Sequence, residues 1–171
     1  MTVAAMVLKD ALLSEFDQEM AVTRRLLERL PEASFSWKPH ERSMSLGGLA
    51  THLAQIPHWG TWILEHDSYD MVHDGTGSAL EKRTRAEVLE AFDRHTTEVR
   101  RALVNGSDAE LMAPWVLKRG GQTLMSLPRL RALRLYLLNH LVHHRGQLTV
   151  YLRLQNVPLP PLYGPTADEG M

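Results

Sequence analysis

The longest helical pattern in the chain, from about Leu127 to Gln155, is rich in leucine and also contains three histidines. Its apolar residues recur at the spacing of an amphipathic helix, so one face has to be buried against other elements. His140, His143 and His144 lie within about one and a half turns of this helix. His140 and His144 are four residues apart and therefore project one above the other from the same face. The fold must bury this face and accommodate both imidazoles.

Three further segments have helical periodicity, at about residues 5–30, 45–66 and 84–105. Pro31 follows the first segment, and the third begins with the capping-box pattern of Thr84 and Glu87. Pro57 lies inside the second segment and predicts a kink. The predicted core residues are Leu12, Phe16, Met20, Thr23, Leu27 and Leu30 in the first segment, Leu49, Ile56, Trp59 and Ile63 in the second, and Val88, Phe92, Val99 and Leu103 in the third.

The remaining segments contain turn and chain-breaking residues. Gly120 and Gly121 favour positive φ within residues 114–124, which predicts a hairpin or an irregular crossover. Residues 157–165 include four prolines, so the tail from about residue 156 is predicted to lie extended over the helices. Four amphipathic helices without a convincing sheet predict an all-α four-helix bundle, with a short crossover hairpin or loop before the last helix. We expect residues 1–171 to form a single domain.

The composition is that of a globular protein and excludes several classes of function. Hydrophobic residues make up 44% and charged residues 23% of the chain, and the formal net charge is −1, which provides no basic surface for nucleic acid. The chain has no cysteine, so disulfides, thiolate metal ligands and a cysteine nucleophile are excluded. No apolar run reaches transmembrane length and no signal peptide is recognisable, so we expect a cytoplasmic protein without membrane contact.

An α-helix turns by about 100° per residue, which assigns each histidine to a face. Relative to His140, His144 falls at about +40°, near the centre of the leucine stripe, whereas His143 falls at about −60° and Arg145 at about +140°. His140 and His144 are therefore predicted to point inward, His143 to lie on a flank, and Arg145 to face away. On the second helix, His52 lies among the apolar stripe and also points inward.

Inward-pointing imidazoles need partners for their ring nitrogens, and a metal ion supplies one partner to each ring. His140 and His144 therefore predict a metal site, and His52 is the best candidate for a third ligand. The alternatives are a polar patch that lines a cleft and, for His52 alone, a hydrogen-bonded core residue. A metalloprotease is disfavoured, because Leu141 follows His140 where the zinc proteases have glutamate.

Other residues of the same helix have less specific roles. Gln147 falls near His140 and could orient a ligand imidazole, or form an ordinary hydrogen bond between helices. His143 is predicted to support the ligands in the same way or to contact a second subunit. Arg145 is predicted to pair with an acidic group of a neighbouring helix or subunit. Gly146 costs about 1 kcal/mol relative to alanine within a helix, which indicates close helix packing or a kink. His40, His66, His73 and His95 are interpreted as solvated surface residues, and His58 as exposed.

Residues 48–54, 121–128, 139–148 and 161–169 together resemble the DinB-like, or YfiT-like, superfamily of metal-binding proteins. The run His-x-x-His-His-Arg-Gly-Gln in the last helix is the most specific part of this resemblance. The resemblance implies an up-down-down-up four-helix bundle, often dimeric, with one divalent metal ion held by three histidines. The matching positions in this chain are His52, His140 and His144. Zinc or nickel is expected first, and iron or manganese are alternatives.

Three function classes stay open at this point. Members of the superfamily with assigned roles are thiol-dependent transferases or isomerases that use a low-molecular-weight thiol such as bacillithiol or mycothiol. By this resemblance, the chain would be a metal-dependent S-transferase acting on a small-molecule substrate. The second class is a metal-dependent hydrolase, and the third is a non-catalytic, stress-associated metal-binding protein. The inward face of the last helix carries no carboxylate, and the tail residues Asp168 and Glu169 could either reach the cleft or remain solvated.

Overall fold

The first three predicted helices form as their apolar stripes indicate. The fold is described from a computed structural model that covers residues 7–74 and 81–170. The helices are α1 (Leu8–Leu27), α2 (Leu46–Glu65) and α3 (Arg85–Asn105). Every predicted core residue of these segments is buried except Trp59, which is partly buried and packs against the core. The helical periodicity therefore identified the buried faces of these three helices correctly.

The side chain of the preceding residue caps the start of α2 and of α3. The hydroxyl of Ser45 accepts from the backbone N–H of Gly48 at the start of α2, which continues through Pro57. The predicted capping box of Thr84 and Glu87 is present at the start of α3. Such caps satisfy backbone N–H groups that have no partner within the helix. A 3₁₀ turn (Glu32–Ser34) lies between α1 and α2, and the short helix α4 (Asp108–Met112) follows α3.

The last helical segment differs from the single long helix that the sequence predicts. It consists of α5 (Arg129–Leu133), a π-helical segment (Arg134–Asn139) and α6 (His140–Leu154). The wider π turns shift the phase of the helix, so the leucine stripe before His140 does not continue unchanged after it. The buried residues of α6 are Leu141, Arg145, Leu148 and Leu152. The buried face of α6 is therefore centred between Leu141 and Arg145, whereas the sequence predicts its centre near His144.

A three-stranded mixed sheet corrects the all-α prediction. Strand β1 (Ser68–Asp70) pairs in parallel with β2 (Pro114–Arg119), which pairs antiparallel with β3 (Gln122–Pro128). The chain is therefore mostly helical but contains a sheet, and it is not an all-α four-helix bundle. Strand β1 has only three residues, which is too short for a recognisable alternation of polar and apolar residues. Its partner strand lies more than forty residues later, so the pairing cannot be predicted from local sequence.

The turn between β2 and β3 lies at the predicted glycines, since Gly120 and Gly121 have φ values of 56° and 82°. The carboxylate of Asp70 in β1 accepts from both of their backbone N–H groups, at 2.9 and 2.7 Å. Trp115 in β2 is 1% exposed and packs into the core of the helices. Asp70 thus holds the turn of β2 and β3 against β1, and Trp115 anchors β2 to the helical core.

The long helices pack so that α2 and α6 are neighbours, and this places His52 opposite the histidines of α6. Helix α2 also packs closely on α3 at Gly60, where an added Cβ would lie 2.5 Å from Val99 and 2.8 Å from Leu137. The tail after α6 contains no helix among the described residues and lies against α1 and α6 through side-chain contacts. Within the described ranges, no helix is long and apolar enough to span a bilayer.

Candidate metal centre

Three histidines from two helices meet at the interface of α2 and α6. His52 lies in the second turn of α2, His140 is the first residue of α6, and His144 lies one turn after it. The Nε2 atom of His140 is 3.2 Å from Nε2 of His52 and 3.0 Å from Nε2 of His144. All three imidazoles are half-buried. The structure therefore brings together the three predicted ligand positions, and this group (the histidine triad) could hold a metal ion.

The spacing of the triad fits a tetrahedral ion. With zinc–nitrogen bonds of about 2.0–2.1 Å, two imidazole nitrogens on one tetrahedral ion lie about 3.3 Å apart. The two Nε2 separations of 3.0 and 3.2 Å are close to this value. The imidazole rings are also steeply inclined, with His52 at 66° to His140 and 89° to His144. The nitrogens thus converge on one point while the rings avoid stacking.

A hydrogen bond at the far side of the His144 ring favours the tautomer that binds a metal through Nε2. Nδ1 of His144 lies 2.7 Å from Oε1 of Gln147, and because an amide oxygen only accepts, Nδ1 carries the proton. Nε2 of His144 therefore carries the lone pair, and it lies 3.0 Å from Nε2 of His140, where one ion could reach both atoms.

The triad is also held neutral. Burial and, to a smaller extent, the nearby His144 and His140 together lower the pKa of His52 to about 4. Burial likewise lowers the pKa of His140, against the hydrogen bond to Tyr136, and the pKa of His144, against the hydrogen bond to Gln147. Neutral imidazole is the form that binds a metal, because the protonated ring has no lone pair on Nε2.

The sequence predicts Gln147 near His140, whereas its side-chain oxygen contacts Nδ1 of His144, and its role in orienting a ligand imidazole stays a prediction. His143 is exposed, and its ring centroid lies 4.8 Å from that of His144 in an edge arrangement. Gly146 is predicted to allow close helix packing or a kink. The close packing is wrong for the described chain, because nothing lies within 4 Å of an added Cβ, and the kink stays a prediction.

Arg145 was predicted to face away from the core, and the structure corrects this. Its side chain is 1% exposed and forms an ion pair of 2.6 Å with Glu19 of α1. Its other nitrogen donates to the hydroxyl of Thr23 at 3.0 Å and to the carbonyl of Glu19 at 3.1 Å. Tyr163 of the tail covers the pair, because its hydroxyl contacts both Arg145 and Glu19. The predicted acidic partner on a neighbouring helix is therefore present, but inside the protein.

The tail carboxylates do not approach the triad. Asp168 forms an ion pair with Arg153 at the end of α6, and Glu169 forms one with Arg29 at the end of the first helical segment. Arg153 is nine residues after His144, or about 13 Å along the helix axis. Both carboxylates are thus engaged by arginines, and neither belongs to the group of donor atoms formed by the three histidines.

A second cluster of possible metal ligands is present that the sequence did not predict. His58 of α2 lies with His95 and Glu98 of α3, and a nitrogen or oxygen of each lies within 4.8 Å of the others. His95, interpreted from the sequence as solvated surface, is partly buried between these helices. The sequence did indicate that His95 and Glu98 could act together, because residues three apart on a predicted helix are neighbours on its surface. His58 could not be linked to them without knowledge of how α2 and α3 pack.

Comparison with known proteins gives a family and a fold. The DinB family model matches residues 1–170. A DinB-like protein from Bacillus cereus has a TM-score of 0.69 at 21% identity, and the match covers 92% of this chain and 98% of that one. A DinB-like protein from Bacillus subtilis has a TM-score of 0.71 at 22% identity, with 90% and 97% covered. No curated protein matches the chain significantly. Since the family model spans nearly the whole sequence, the chain belongs to the DinB family.

Proposed function

We propose that the histidine triad binds one divalent metal ion, zinc or nickel, and that the protein is a metal-dependent S-transferase for a low-molecular-weight thiol. The convergence of three Nε2 atoms at 3.0 and 3.2 Å carries this proposal. Three neutral ligands leave the full double positive charge of the ion, which would favour a thiolate over a thiol at neutral pH. The chain itself has no cysteine, so the reacting sulfur would come from the cosubstrate.

Individual residues of the chain would have distinct roles around this ion. His52, His140 and His144 would hold it, while Gln147 would fix the orientation of the His144 ring. The three rings are half-buried, so part of the site is accessible to solvent. In the reaction, the thiol loses its proton to solvent, its sulfur bonds to an electrophilic carbon, and the leaving group departs with the electron pair of the broken bond.

The structure favours transfer over hydrolysis. A metal-dependent hydrolase normally needs a general base beside the metal-bound water. The triad contains no carboxylate, and Asp168 and Glu169 are engaged by arginines elsewhere. Attack by a thiolate needs no such base once the sulfur is deprotonated.

An assay with a defined electrophile tests the proposal. Protein stripped with a chelator and reloaded with zinc or nickel should conjugate bacillithiol or mycothiol to monochlorobimane, with release of chloride. The rate should saturate with thiol, disappear on chelation and return with metal. His144→Ala should abolish it, whereas His40→Ala, which changes an exposed histidine outside the triad, should not. An equal rate in chelated and reloaded protein would contradict the proposal.

The same preparations separate the other functions. A hydrolase would cleave activated esters in the absence of thiol. A purely structural ion would give no turnover, yet a ligand present at about 100 times its Kd stabilises the folded state by about 2.7 kcal/mol, so chelation would lower the melting temperature. The homodimer expected from the family resemblance is a separate prediction, and light scattering should give twice the chain mass of 19.4 kDa.

A further inference from the structure

We propose that His58, His95 and Glu98 form a second divalent-metal site, separate from the histidine triad. His58 projects from α2, and His95 and Glu98 project from successive turns of α3. Two imidazoles and one carboxylate form a ligand set typical of zinc sites with an open position. His58 is six residues after His52, which separates the two sites by about 9 Å along α2 and by about 120° around it.

The donor atoms need little movement to reach one ion. They lie within 4.8 Å of one another, compared with about 3.3 Å for two donors on a tetrahedral zinc ion. The ring centroids of His58 and His95 are 5.4 Å apart, at an angle of 44°. His58 is exposed, so its side chain can rotate toward the other two donors without disturbing the core.

His95 is held in the tautomer that a metal requires. Its Nδ1 lies 2.9 Å from the carbonyl oxygen of Ala54, which can only accept, so Nδ1 carries the proton. Its Nε2 therefore bears the lone pair, and it accepts from Nη2 of Arg94 at 3.3 Å. Ala54 lies one turn before His58 on α2, so this hydrogen bond also fixes His95 beside His58. The arrangement matches the way metal-binding histidines are commonly oriented by a backbone carbonyl.

The site borders a cavity of about 440 Å³ that His58 and His95 help to line. Trp59, Trp62 and Tyr69 supply an aromatic wall of the same cavity, and Arg94 contributes a positive charge. Glu98 provides the negative charge that the triad lacks, and it partly neutralises a divalent ion. Arg94 opposes binding, because it occupies the lone pair of His95 and repels a cation.

Zinc stoichiometry with the triad disabled tests this site directly. Wild-type protein stripped of metal and dialysed against zinc should bind two ions per chain, and the variant His140→Ala/His144→Ala should bind one. Adding His58→Ala and His95→Ala to that variant should remove the remaining ion, whereas adding His40→Ala should not. If the triad variant binds no zinc, or if its zinc is retained without His58 and His95, the second site is refuted.

Two single variants test the same site without removing a histidine. Glu98→Gln should weaken zinc binding in the triad variant by about 10–100-fold. Loss of a residue that only supports a ligand already has an effect of this size, and Glu98 is proposed to be a ligand itself. Arg94→Ala should bind zinc about tenfold more tightly at low salt, because a competing donor and a nearby positive charge are removed. A purely structural role of Arg94 gives no such gain. Unchanged affinity in both variants would overturn the proposal.

Discussion

The guanidinium of Arg145 lies 2.6 Å from the carboxylate of Glu19, and the two side chains are 1% and 10% exposed. The pair joins α6 to α1, one residue beyond His144. Because both charges are buried, each depends on the other, on the hydrogen bond that Arg145 donates to Thr23 and on the one that Tyr163 donates to Glu19.

Removing one partner of this pair should be costly. Arg145→Leu leaves the carboxylate of Glu19 buried without its counter-charge, so we expect the free energy of unfolding to fall by about 3–5 kcal/mol. Replacing both residues, with Glu19→Leu and Arg145→Leu, should cost much less, since no unpaired charge remains. Urea denaturation of the two single variants and the double variant measures the coupling. If the loss of stability in the double variant equals the sum of the losses in the two single variants, the pair does not act as a unit.

The contact of Gln147 with His144 predicts an effect on metal affinity. Gln147→Leu removes the acceptor of the Nδ1 proton, so we expect zinc or nickel affinity to fall by about 10–100-fold while the fold is retained. Competition with a chromogenic chelator gives the affinity, and circular dichroism checks the helices. His143→Ala is the control, because the His143 ring has only an edge contact with His144, where Gln147 has a hydrogen bond, and its loss should affect affinity less. A larger loss in His143→Ala would reverse this assignment.

Asp70 predicts a pH dependence of stability. Hydrogen bonds from the backbone of Gly121, Val72 and Gly120 lower the pKa of Asp70 to about 2. Since the folded pKa lies below the ordinary value of 3.8, the stabilisation is complete above pH 4 and is lost as the pH falls toward 2. Asp70→Asn should therefore have a lower urea midpoint than wild type at pH 6, and the difference should shrink between pH 4 and pH 2. A difference that is independent of pH would exclude this role of the charge.

Two helical glycines should respond in opposite directions to alanine. At Gly60 a new Cβ would lie 2.5 Å from Val99, so Gly60→Ala should destabilise the protein by about 1–3 kcal/mol. At Gly146 the described chain leaves open space, so Gly146→Ala should stabilise α6 by about 1 kcal/mol. Thermal unfolding of dilute protein compares the two variants. A destabilising Gly146→Ala would indicate that another molecule packs against this position.

Much of the helical framework was accessible from the sequence because helical periodicity is local. The apolar stripes of α1, α2 and α3 and the cap at Thr84 each depend on residues within a few turns. The sheet was missed for the opposite reason. Strand β1 is short and gains its stability from pairing with β2 and from the hydrogen bonds between Asp70 and the turn glycines, which are distant in sequence.

By itself, the sequence determined which histidines could act together along one helix, since residues four apart necessarily share a face. It also predicted His52 as their partner, and the tertiary structure brings the three Nε2 atoms together. Only the tertiary structure decided the burial of Arg145, because the π-helical segment before His140 changes the phase of the leucine stripe. The meeting of His58 with His95 and Glu98 was likewise decided by the packing of α2 on α3, which no local periodicity encodes.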